Sequence, residues 1–332
     1  MRALVYKKKP LLVRDYPMPQ RKADEALIKV LKAGICATDL EITHGYMSFS
    51  GVLGHEFSGV VEAAADETWT GKRVVGEINC PCRHCEYCNK GLGNHCPKRT
   101  VLGIAGMDGA FADYLTLPTK NLHALPQGID DTAAVFVEPL AAAFRVLEQL
   151  QQKEGDNTSP GPGVEVAVLG DGRLGLLVAQ VLSLTGCSLL AIGRHPEKLL
   201  VLSKMGIKTT VADESLKTTG EQFDYVVDCT GSPSGLETAV KLTRPAGTII
   251  LKSTFAHKKA AAIDLTPVVV KEISLTGSRC GPFPKAIKAL EKGEIQVEPL
   301  ISRIYKLDEA VEALGFASKK GVLKVVLDMS EV

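Results

Sequence analysis

The apolar run Val164–Leu169 leads directly into Gly170-Asp171-Gly172-Arg173-Leu174-Gly175 and then into LLVAQVLSLTG. Few folds accommodate that order. Three glycines spaced G-x-G-x-x-G allow a tight turn at the end of a buried strand, a close backbone approach, and tight packing of the next helix on that strand. The helix N-terminus then presents free N–H groups and a partial positive charge, which suits a pyrophosphate. The runs SLLAIG (188–193), TTVAD (209–213), YVVDCTG (225–231) and GTIILKS (247–253) read as further strands, and KEISLTGSRCG (271–281) adds another candidate. Helical PEKLLVLSKMG and GLETAVKLTR lie between them. Strands alternating with helices fold as right-handed βαβ units, so the region is expected to be α/β, a doubly wound parallel sheet of Rossmann type.

The second of these strands ends at Ile192-Gly193 and continues as Arg194-His195-Pro196-Glu197-Lys198. A carboxylate at this strand end commonly holds the ribose 2′-hydroxyl of NAD. Gly193 stands there instead, and Arg194 offers a planar, permanently charged set of donors. The pattern favours NADP over NAD, with His195 and Lys198 as supporting groups. The alternative is an Arg194 that stacks on adenine without selecting a cofactor. Gly170, Gly172, Arg173, Leu174 and Gly175 are the candidate pyrophosphate-binding residues.

The chain up to about Leu125 has a different character, with short β-like runs such as ALVYK, EALIKVLKAGI, FSGVVEAAA and RVVGEI broken by Pro, Gly and Asp. A Pro/Gly-rich break, EGDNTSPGPG (154–163), separates the two styles, as either a linker or a surface loop. We therefore expect a β-rich domain over 1–150 and the Rossmann domain over 151–282. The helical and strand-like pieces after 283 cannot be assigned from pattern alone.

Five of the nine cysteines fall between Cys80 and Cys96. Clustering of this kind, in a chain whose first residues lack a long apolar stretch and a small-residue cleavage site, points to metal binding in a reducing compartment, the cytoplasm. Cys82, Cys85, Cys88 and Cys96 can wrap one tetrahedral zinc and leave no open position, so such a site would be structural. Cys80 could replace Cys82 in the set, and His84 and His95 could compete. Lys and Arg number 39 against 38 Asp and Glu. That balance gives no electrostatic footprint for nucleic acid or an anionic membrane, so neither partner is expected. No apolar run reaches the roughly 18–20 residues of a membrane span.

GICATDLEI, GHEFSGVVE, the cysteine lobe, the EPL segment and VLGDGRLG, in that order, resemble the zinc-containing medium-chain dehydrogenase/reductase family. The sorbitol and threonine dehydrogenases are the relatives nearest in style. The resemblance spans nearly the whole chain. It implies a GroES-like catalytic domain completed by about 283–332, a Rossmann domain, and two zinc ions per chain. It also implies hydride transfer between a secondary alcohol or polyol and NADP or NAD, in a homodimer or homotetramer. By the same resemblance Cys36, His55, Glu56 and Glu138 match ligands of a catalytic zinc between the domains, and Asp39 matches an acid that orients His55. Thr38 matches the hydroxyl that takes the substrate proton. Relatives often carry a His three residues after that Thr; here the position is Glu41, which leaves His44 as the candidate substitute. Cys229, Thr230 and Gly231 match a segment near the nicotinamide ribose, and Lys324 matches a basic residue that reaches the pyrophosphate. Competing readings are a zinc-independent reductase on the same fold, which would lack the Cys/His/Glu set, and a non-catalytic protein that senses the NADP redox state.

Overall fold

The structure is a computed structural model. It describes residues 1–154, 160–212, 222–254 and 263–330. The chain forms two compact units, Met1–Glu138 with Ala286–Val332, and Pro139–Lys285. The helix Val137–Glu154 runs unbroken past the point where sequence pattern puts the division, and most of it belongs to the second unit. The break expected at 154–163 therefore lies within that unit, and its residues 155–159 are outside the described ones.

In the first unit the long strand Glu25–Ile35 is central. It pairs antiparallel with Glu56–Ala63, with Tyr114–Pro118 and with the last strand, Lys324–Asp328. Arg73–Gly76 and Leu122–Ala124 extend the sheet on one side, and Ile301–Lys306 on the other. Alternating residues of Glu25–Ile35, among them Ala26, Ile28 and Val30, are buried with Leu4, Phe57, Phe111 and Leu327 in one apolar core. The two ends of the chain thus share a sheet. Arg2 holds them together through Asp113 and Asp308, each at 2.8 Å.

The second unit carries a six-stranded parallel sheet. Its strands run in the order Lys208–Val211, Ser188–Gly193, Glu165–Leu169, Phe223–Asp228, Thr243–Leu251, Ser274–Gly277. Val166–Leu169 and Phe223–Asp228 are buried throughout, as strands covered on both faces must be. The connecting helices start where the sequence supplies a stop. Pro196 and Pro233 open theirs, and Ser232 caps the second by accepting the Gly235 N–H at 3.2 Å. The β-rich domain and the doubly wound sheet are both as expected from the sequence. No helix among the described residues is long and apolar enough to cross a membrane.

Candidate active site and metal centres

Ile35 ends a strand, and Cys36 caps the short helix Ala37–Thr43. Asp39, in the first turn, is completely buried. One of its oxygens accepts the backbone N–H of Cys36 at 2.7 Å, and the other lies 3.1 Å from Nδ1 of His55. An ionised carboxylate can only accept, so Nδ1 carries the proton and Nε2 keeps its lone pair for a metal. A single acid therefore orients both the thiol and the imidazole. Ligand atoms of Cys36, His55 and Glu56 lie within 4.8 Å of one another. Burial pushes the His55 imidazole toward neutrality, the charges of Asp39 and Cys36 oppose it, and the balance lies well above the ordinary histidine range.

Glu56 is 1% exposed and pairs with Lys324, which is equally buried and lies 5.5 Å from the Phe136 ring centroid. Gly34 makes this pair possible. It faces Glu56 across one strand pairing and Val326 across the other, and any Cβ on it would collide with the Glu56 carboxylate. Lys324, matched by resemblance to a pyrophosphate contact, is held against Glu56, one of the three clustered donors. A thiol, an imidazole and a carboxylate converging in this way form a donor set that suits a zinc ion.

Two residues are not gathered into this group. Glu138 is half-buried in the first turn of Val137–Glu154 and falls outside the cluster of Cys36, His55 and Glu56. His44 is exposed and caps the far end of Ala37–Thr43. Thr38 lies at the near end, its hydroxyl 3.8 Å from Cys36 Sγ. A helix rising about 1.5 Å per residue sets their backbones roughly 9 Å apart along its axis.

The second cluster is local. Sγ atoms of Cys85 and Cys88 are 3.4 Å apart, Cys85 and Cys96 3.7 Å, and Cys82 and Cys96 3.5 Å. Four sulfurs about 2.3 Å from one zinc stand roughly 3.8 Å apart, so the set fits a tetrahedral thiolate site. The backbone N–H of His84 pulls the Cys82 thiol below its usual range. Cys80 points elsewhere, 3.8 Å from Met107 Sδ, and burial pushes its thiol up to about 11. The ring of His84 bonds the Cys82 carbonyl, and His95 is exposed. None of these three joins the cluster of four.

In the second unit Gly170 adopts φ +110°, and a Cβ on Gly175 would overlap the Gly170 carbonyl. Gly172 caps the helix Arg173–Ser183 with nothing within 4 Å of where its Cβ would be, which leaves backbone N–H groups approachable. These are the requirements of a pyrophosphate cradle. Arg173 and Leu174 form the first turn, half-buried. Cys229 packs beside Gly170; burial and then the Asp228 charge push its thiol up to about 12. Thr230 is tied to Asp228 by its backbone N–H at 2.8 Å and its hydroxyl at 2.7 Å, and Gly231 turns with φ +62°. Arg194 is exposed, with a guanidinium nitrogen 3.3 Å from Ser234 Oγ, and Lys198 is half-buried on the helix Pro196–Ser203. Sequence reading did not anticipate Asp171, whose carboxylate crosses to the end of Ser188–Gly193.

Comparison with known proteins follows the same division. The family model for the alcohol dehydrogenase GroES-like domain matches residues 22–127, and that for zinc-binding dehydrogenase matches 174–292. The chain is 31% identical to the starvation-sensing protein RspB of Escherichia coli K12, covering 99% of each. It is 30% identical to the D-arabitol-phosphate dehydrogenase of Enterococcus avium, covering 95% of this chain and 92% of that protein. Among solved structures, the rspB alcohol dehydrogenase of E. coli CFT073 complexed with NADH superposes with a TM-score of 0.88, at 29% identity over 99% of both chains. A zinc-binding dehydrogenase of Sinorhizobium meliloti 1021 bound to NADP gives 0.87, at 26% identity over 98% of both. Sequence, fold and donor sets agree: the chain belongs to the zinc-dependent medium-chain dehydrogenase family, as an alcohol- or polyol-type oxidoreductase that uses zinc and a nicotinamide cofactor on a small-molecule substrate.

Proposed function

We propose that the enzyme interconverts a secondary alcohol or polyol and the matching ketone or aldehyde, with NADP preferred over NAD. The observation that carries the reading is Asp39, which aims Cys36 and His55 at one point beside Glu56. Cys36, His55 and Glu56 would hold the catalytic zinc, and Cys82, Cys85, Cys88 and Cys96 a structural one. Zinc, when bound, supplies Lewis-acid polarisation of the substrate oxygen, and the nicotinamide, when bound, exchanges the hydride.

The chain's own residues do the rest. Asp39 fixes the His55 tautomer. Lys324 balances the charge of Glu56. We assign to Thr38, whose Oγ1 lies next to Cys36, the role of receiving the substrate hydroxyl proton. The NADP preference is supported by the exposed guanidinium of Arg194, just past the end of Ser188–Gly193. Arg194→Ala should weaken NADPH far more than NADH; equal loss for both would remove this preference.

We also place the chain in the cytoplasm, where nine free cysteines stay reduced. We propose self-association through the edge strand Ser274–Gly277, which among the described residues pairs on one side only and exposes Leu275. A monomer mass by light scattering at micromolar concentration would remove that proposal. Initial rates with NAD and NADP against alcohols, polyols and sugar phosphates test the central reading. Cofactor binding by zinc-replete protein without turnover on any of them would favour a sensor over an enzyme.

A further inference from the structure

We propose that Asp171, within the glycine fingerprint, is the acid of the adenosine-ribose pocket and holds down the enzyme's selectivity for a 2′-phosphate. The inference rests on the nicotinamide cofactor binding at Gly170–Gly175.

The end of Ser188–Gly193 is where Rossmann folds read the ribose 2′ position. Gly193 carries no side chain, yet the space is not vacant. A Cβ built there would lie 2.5 Å from Asp171 Cβ and 2.6 Å from Asp171 Oδ2. The carboxylate that a residue at 193 would normally project is thus delivered from a different loop, 22 positions earlier in the chain (193 − 171). Gly193 is the glycine that this crossing requires.

Asp171 is built in firmly. It is 8% exposed, and Oδ2 accepts the backbone N–H groups of Arg194 at 2.5 Å and His195 at 2.6 Å. Nδ1 of His195 lies 3.1 Å from Oδ1 and 3.0 Å from Oδ2. Burial pushes the carboxyl up, but the His195 ring and the two amides outweigh it and hold it below the ordinary carboxylate range. The group is therefore charged at neutral pH.

Two consequences oppose a 2′-phosphate. The amides of Arg194 and His195, which could otherwise donate to a phosphate, already donate to Asp171. A fixed negative charge also stands beside the phosphate position. What attracts the phosphate is then side chains alone, chiefly Arg194. A ribose 2′-hydroxyl fares differently, because Oδ1 retains acceptor capacity for it. Arg194 and Asp171 thus pull in opposite directions, and their balance sets the cofactor ratio.

The test is Asp171→Asn, which keeps size and one acceptor and removes the charge. Dissociation constants for NADH and NADPH are read from nicotinamide fluorescence on the zinc-loaded full chain. The expected result is weaker NADH and tighter NADPH, so that the NADPH-to-NADH affinity ratio rises about tenfold, the size expected when one charged hydrogen bond is replaced by a neutral one. Parallel loss for both cofactors makes Asp171 a loop support only, and an unchanged ratio removes its role; either overturns the proposal. If the wild type binds neither cofactor, the failure lies in the cofactor reading beneath it. Asp171→Ser, short enough for the same space, carries the measurement if thermal melting shows that the Asn variant does not fold.

Discussion

Replacing Asp39 by Asn tests whether one buried acid organises the catalytic metal site. The side chain is fully buried and holds the Cys36 N–H at 2.7 Å and His55 Nδ1 at 3.1 Å. Asn has one acceptor and one donor end, so one contact must fail. If its NH2 faces Cys36, two donors meet and a buried N–H goes unsatisfied, at about 1–3 kcal/mol. If it faces His55, the ring must accept at Nδ1 and move its proton to Nε2, which removes a metal lone pair. Loss of an outer partner to a metal-bound histidine weakens metal binding roughly 10–100-fold, about 1.4–2.7 kcal/mol. The two routes agree in size. Zinc is measured per chain during titration with a chelator, with activity followed in parallel. The variant should release one zinc at chelator concentrations roughly 10–100-fold lower than wild type, keep the other, and lose turnover as the first leaves. Release of both zincs at wild-type concentrations, with activity intact, would refute the reasoning.

Cys96→Ser should remove one zinc and lower the melting temperature, because Cys96 is fully buried and its sulfur touches those of Cys82 and Cys85; a full complement of two zincs would contradict the four-sulfur assignment. Gly175→Ala forces a methyl group into the Gly170 carbonyl, so binding of both cofactors should fall together with stability; normal NADH binding would show that the turn relaxes freely. Asp328 is held well below its usual range by the Ser330 N–H and by Lys32 at 2.9 Å and Lys306 at 3.2 Å, against the upward push of burial. A depressed folded pKa stabilises above the unfolded value of 3.8 and is lost as the pH falls further. Asp328→Asn should therefore be less stable than wild type at pH 7, with the gap in denaturant midpoint narrowing steadily as the pH falls below about 4; a gap that is as wide at pH 2.5 as at pH 7 counts against the ion pairs.

The parts of the site that were legible in the sequence are those made by a single segment. Gly170–Gly175 and Cys82–Cys96 each fold on themselves, so spacing alone reports their geometry. Cys36, His55 and Glu56 come from separate segments, and only family resemblance joins them in advance. Two features escaped because they depend on strand register. Lys324 meets Glu56 only because Gly34 stands between their strands, which no local pattern reveals. Asp171 reaches the neighbouring strand because parallel pairing sets Leu169 beside Ile192, so the residues after each strand end together. The division near 150 went astray because a Pro/Gly-rich break reads as a linker, whereas Val137–Glu154 carries the chain across the boundary as continuous helix.

The pairing of Glu56 with Lys324 also imposes an order of assembly. Cys36, His55 and Glu56 are synthesised first, and the whole of Pro139–Lys285 emerges before the lysine that balances Glu56. Until Lys324–Asp328 pairs with Glu25–Ile35, the acidic donors have no buried cation and the gap beside Gly34 stands open. The four sulfurs of the cysteine lobe all come from residues 82–96, so they are complete in the chain long before Lys324 is made. The catalytic centre cannot close until the last strand is made, so a chain truncated before Lys324 should mature as a one-zinc protein.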